Sequence, residues 1–184
     1  MKASRTDPSV TRRGIGALAG LGGVLMIGAS FLTWISTATE DGGNTAIDGW
    51  GGISGSSQIA GTNLNDVLDG AGSYRPGLIG LIFGAVTVIA AIVIASIARG
   101  PRPHRITAAL LVLCGLVAVG WGVFRSIDPG DAGVFDAGEA AAGFGPWLLV
   151  LGGVLALLSA VLIFVGVIDP RAFTPGRRGI QPRS

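Results

Sequence analysis

Four long stretches of the chain carry no charged residue: they lie within Gly14–Thr39, Pro76–Ala98, Ile106–Phe124 and Ala140–Ile168. A bilayer core about 30 Å thick takes about 20 residues of helix at about 1.5 Å rise each. Pro76–Ala98 has 23 residues and Ile106–Phe124 has 19, so each is long enough to cross once and too short to cross twice. Mean hydropathy is +0.65 and only 13% of residues are charged. Too little polar chain remains to cover four such segments in a soluble globule. The pattern predicts an all-α membrane protein, a four-helix transmembrane bundle.

The charges between the stretches sort by side. The N-terminal tail, the Arg99–Arg105 link and the C-terminal tail hold Lys2 and ten arginines, whereas only Arg75 and Arg125 fall in the other two connections. Short basic loops stay in the cytoplasm, so both termini are expected there. The divisions are then a tail at 1–13, spans at 14–36, 76–98, 106–124 and 145–168, and a second tail at 169–184. An exterior loop covers 37–75, a cytoplasmic turn 99–105 and an acidic exterior loop 125–144. The apolar run from Gly14 to Ile35 is longer than the apolar part of a signal peptide, and the first span is expected to be retained. The two faces carry +9 and −7, and nine of the eleven acids, among them Asp131, Asp136 and Glu139, are exterior. The basic face suits anionic lipid headgroups, and the pI near 9.3 does not point to nucleic acid.

Within the exterior loop, Thr45–Ile47 and Ile53–Ile59 read as short β pieces around an Asp48-Gly49 turn signal. Thr62–Gly70 reads as one or two helical turns capped by Thr62 or Asn63. The loop holds too few apolar residues to predict a core of its own. The short Arg99–Arg105 link makes the second and third spans antiparallel neighbours.

Helices in lipid gain no hydrophobic energy from one another, so close approach through small residues governs their packing. At 100° per residue the second span lines up Gly77, Gly80, Gly84, Thr87, Ala91 and Ala95. The first offers Gly16, Gly20 and Gly23, the third Gly115, Ala118 and Gly122, and the fourth Gly152 and Ala156. These faces mark helix contacts, either inside the bundle or with a membrane-protein partner or second copy. Trp34 and Trp147, at span ends, are placed as interface anchors. Trp50, flanked by glycines, is the candidate exterior contact.

Chemistry is sparse. No span interior holds an ionisable group of the kind that relays protons or ions. Span hydroxyls such as Ser30, Thr87 and Ser159 are expected to bond back to their own helices. His104 is the only histidine, expected in solvent or against headgroups, and Cys114 is the only cysteine. That inventory predicts no catalytic set, no metal site and no cofactor.

The chain resembles the actinobacterial tryptophan-associated transmembrane family, four-span proteins of unknown biochemical role. The likeness rests on Trp34, the Ile59-Ala-Gly-Thr-Asn-Leu64 segment and Gly145-Pro-Trp-Leu148 opening the fourth span. The layout is also similar to that of claudins, with Trp34 followed by Gly49-Trp50 in a large first exterior loop. The two loop cysteines that claudins carry after that tryptophan are missing here. The function expected is a non-enzymatic accessory or scaffold protein of a bacterial cell membrane. The alternative is a subunit of an oligomeric channel or transporter.

Overall fold

A computed structural model describes residues 8–38, 43–56, 58–68, 73–97, 101–129 and 140–166. Five helices and four strands follow one another as α1 Pro8–Ala29, β1 Thr33–Ala38, β2 Asn44–Asp48, β3 Ile53–Gly55, α2 Leu64–Val67, α3 Gly77–Ile92, α4 Pro101–Ile127, β4 Ala140–Ala142 and α5 Phe144–Phe164. A π-helical turn, Val93–Ile97, continues α3. Helices α1, α3, α4 and α5 are long and apolar enough to cross a membrane, which suits a multi-pass membrane protein. Leucine, isoleucine and valine face outward along all four, as lipid rather than water would require.

The fold is not all-α. The four strands form one antiparallel sheet in the order β3-β2-β1-β4, so both connections expected to be exterior contribute to it. β1 pairs with β2 from Ile35–Ile47 to Ala38–Asn44 and with β4 from Ile35–Ala142 to Thr37–Ala140. The sheet caps one end of the bundle, because α1 leads into β1 and β4 leads into α5.

The cap does have its own core, contrary to the expectation for this loop. Ile35, Ile47, Ile53, Leu64 and Tyr74 bury together, five residues scattered over 40 positions that the sheet, α2 and the entry to α3 gather. The turn at Thr62–Gly70 forms as the short α2, capped by Asn63, whose Oδ1 accepts from the Asn65 N–H at 2.9 Å. Gly70 lies outside the described residues.

Several element boundaries move. The first span, expected over 14–36, is a helix from Pro8 to Ala29, and its expected last residues belong to β1. The third begins at Pro101, inside the expected turn, with proline in its first turn, where an N–H has no intrahelical partner in any case. It runs on to Ile127, past the expected limit of 124. His104 therefore sits on the inward face with Ala108 and Leu111 and is buried, not solvated. The acids Asp131, Asp136 and Glu139 lie outside the described residues.

Inside the bundle the close contacts run in the order α3–α1–α5–α4, so α1 packs against both α3 and α5, and α5 against both α1 and α4. The contact between α3 and α4 is thin, although the chain between them is the shortest link in the bundle. A cleft of about 460 Å³ separates them, lined by Val86, Ile89, Ala90, Val93, Ile106, Thr107 and Leu110. Bulky β-branched residues on this side keep the two helices apart, while the small-residue face of α3 turns to α1.

Candidate functional site

The small residues singled out in the sequence are consumed by contacts within the bundle. A Cβ on Gly23 would lie 2.8 Å from the Gly84 carbonyl oxygen, and one on Gly84 would lie 2.8 Å from the Gly23 oxygen. Gly80 meets the Met26 oxygen, Gly16 meets Ala95, and Gly20 meets Ala91. On the other side of the bundle, Gly115 abuts the Gly153 oxygen and Gly122 the Pro146 oxygen. Gly152 approaches the Gly22 oxygen, and Ala118 and Ala156 are fully buried. Gly77 lies against the Ser30 oxygen at the end of α1 and against Gly49 of the cap. Gly22 and Gly153 do the same work and fall off the stripes that periodicity draws. Gly22 faces α5, whereas Gly16, Gly20 and Gly23 face α3, so α1 carries two small faces.

Polar groups within the spans are satisfied locally. Ser30, Thr87 and Ser159 donate to the carbonyls four residues back, at 3.3, 2.8 and 2.8 Å. Cys114 is buried and unpaired. Among the described residues no group of three His, Cys, Asp or Glu side chains is placed to hold a metal ion.

Trp34 is not an interface anchor. It is 1% exposed and its indole N–H donates to the Ala29 carbonyl at 2.8 Å. That carbonyl is one of the last four of α1 and also accepts from the Leu32 N–H at 3.3 Å, so the indole adds a second bond that caps the helix end. Gly49 and Gly145 form the socket: a Cβ on either would come within 2.8 Å of the indole nitrogen. Trp147, by contrast, is 56% exposed in the first turn of α5. Trp50 is half-buried and lies over Phe31, with ring centroids 6.0 Å apart.

The polar chemistry of the molecule gathers where cap meets bundle. Asp48 Oδ1 accepts from the backbone N–H groups of Trp50 and Gly52, at 2.8 and 2.9 Å, and closes the turn after β2. Asn65 ties three segments together: its amide donates to the carbonyls of Trp50 and Tyr74, and its Oδ1 accepts from the Tyr74 N–H at 2.6 Å. Tyr74 is thereby held 4% exposed at the entry to α3. Burial pushes its phenol well above the ordinary range, against the lowering effect of Arg125 and with a smaller raising effect from Asp48.

Arg125, in the last turn of α4, lies among aromatic rings. Its guanidinium carbon is 5.0 Å from the Trp121 ring centroid and 5.8 Å from those of Tyr74 and Phe124. Trp121 in turn donates to the Pro76 carbonyl at 3.3 Å, pinning α4 to the start of α3. Arg125 Nε and Nη1, Tyr74 Oη, Thr45 Oγ1 and Trp50 Nε1 are shielded without a hydrogen-bond partner. Sequence reasoning passed over Tyr74 and Arg125. The signal available was that these are two of the few polar side chains beside Pro76 and Trp121, at the ends of facing spans.

Taken together, the fold defines a class of protein: a multi-pass helical bundle closed at one end by a small antiparallel sheet. No model of a known protein family matches the chain, and no curated protein matches it.

Proposed function

We propose that the chain is a non-enzymatic accessory or scaffold protein of a bacterial cell membrane, acting through its exterior cap. The observation that supports this reading is the closure of the glycine faces. At Gly23, Gly84, Gly115 and Gly122 the neighbouring backbone is already in contact, so these faces offer nothing to a partner. The cap offers an exposed surface preorganised by the sheet, the Asn65 links and its own core. Ile59 and Val67 are exposed apolar side chains on it. A preformed surface loses little conformational freedom on association. Both termini then lie in the cytoplasm and the sheet outside, as the charge asymmetry requires. The small-residue faces point into the bundle and do not supply the lining of an oligomeric channel.

The test is affinity purification from native membranes of the parent and of an Ile59→Glu, Val67→Glu double variant. The double variant is expected to lose a partner that the parent retains, while helicity and thermal unfolding stay unchanged. An unaltered set of co-purifying proteins sinks the cap reading. Ion flux from the purified chain in liposomes would restore the channel.

A further inference from the structure

Among the described residues, no oxygen acceptor meets Nε or Nη1 of the Arg125 guanidinium. Three aromatic rings accept the faces of the guanidinium, but rings leave its N–H groups without the oxygen acceptors they require. Two of its nitrogens, Nε and Nη1, are shielded from solvent and have no partner. Tyr74, whose ring centroid lies 5.8 Å from the guanidinium carbon, has a buried hydroxyl in the same condition. Asp48, whose charge is felt at Tyr74, already accepts two backbone N–H groups in its turn. A shielded donor cluster without an acceptor is unfavourable unless something fills it.

Its height in the molecule indicates what fills it. Gly122 is level with Pro146, and Trp121 reaches Pro76, so this part of α4 faces the first residues of α3 and α5. Arg125 stands about one helical turn, roughly 5 Å, beyond them. Phe124 and Trp147 are exposed at this level, and aromatic side chains of that kind favour the boundary between hydrocarbon and water. The abundant oxyanion at this depth is the phosphate of a lipid headgroup. Its several oxygens match a planar fork of N–H groups better than any single acceptor. Arg125 itself is only partly buried, so the site is open on one side.

We propose that Arg125 and Tyr74 form a phosphate-binding site at the sheet-side membrane boundary, with a lipid headgroup as the source of the phosphate. Arg125 supplies charge and paired N–H groups, Tyr74 supplies a hydroxyl, and Trp121 and Phe124 hold the guanidinium in place.

The experiment follows the arginine Nε–H resonances of the full chain, labelled with nitrogen-15, in a phosphate-free maltoside detergent. The Arg125 signal is assigned by its disappearance in Arg125→Lys. Added phosphatidylglycerol is expected to shift that signal and slow its hydrogen exchange about tenfold or more. Tyr74→Phe keeps the ring and is expected to weaken lipid affinity about fivefold, and Arg125→Gln to abolish the response. If soluble glycerol phosphate at equal concentration protects the signal equally, the phosphate site stands and the lipid source falls. An unmoved resonance with either ligand overturns the proposal. So does protection already present without phosphate that Asp131→Asn, Asp136→Asn or Glu139→Gln removes, since the partner is then a carboxylate of this chain.

Discussion

At the scale of single residues, one residue type has opposite meanings at two places in the bundle. Gly84 lies against backbone: a Cβ there meets the Gly23 oxygen and the Ile27 nitrogen at 3.0 Å or less. Gly120 is exposed on α4 with nothing within 4 Å. Gly84→Leu is therefore expected to lower stability by about 2 kcal/mol or more, because backbone cannot step aside as a side chain can. Gly120→Ala is expected to raise stability by about 0.5–1 kcal/mol, through the smaller conformational freedom lost in a helix. Thermal unfolding in detergent measures both, and equal effects at the two sites would refute the packing described. Periodicity placed Gly84 on a contact face, but it is blind to which glycine has a neighbour. Gly22 and Gly153 show the reverse gap: each touches a backbone oxygen yet sits off the predicted stripes.

At the scale of elements, the cap is the part that composition undervalued. Its five core residues are too sparse to read as a core along the chain, and they become one when β1, β2, β3 and α2 bring them to one side. Asn65 connects α2, the Trp50 turn and the entry to α3 by side-chain bonds that span up to 15 positions. Asn65→Ala leaves the Trp50 and Tyr74 backbone groups short of partners and is expected to destabilise the cap by about 2–3 kcal/mol. Tyr74 is the only tyrosine in the chain, so phenolate absorbance reports on this place alone. In the parent its raised pKa means that the protonated phenol is favoured by folding. That contribution is complete below the ordinary phenol range near about 10 and is lost as pH rises beyond it toward the folded value. In Asn65→Ala the phenol is expected to titrate closer to the ordinary range, and an unchanged titration would show that Asn65 does not hold Tyr74 in place.

At the scale of the whole molecule, the order of helices is the main result. The shortest connection does not produce the closest pair: α3 packs on α1, and α3 and α4 enclose a cleft of about 460 Å³. Adjacent alanines on α3 report this order. Ala90 lines the cleft, whereas Ala91 faces Gly20. Ala90→Phe is expected to change stability by less than about 1 kcal/mol, since its ring enters the cleft. Ala91→Phe is expected to cost about 3 kcal/mol, because it separates α1 from α3. Similar losses for both would mean that α4 closes on α3 and that the cleft is not there.

The sequence alone determined the number of long apolar helices and their bounds to within about two helical turns at either end. These follow from hydropathy and charge, which each residue carries wherever it stands. It also located most of the contact glycines, since a helix has one period. Only the tertiary structure decided what those glycines touch, that Trp34 caps α1 from inside a strand, and that both connecting loops share one sheet. It alone set Arg125 beside Tyr74. These depend on which backbone groups meet across long separations, and residues that are distant along the chain become partners only once the fold has chosen them.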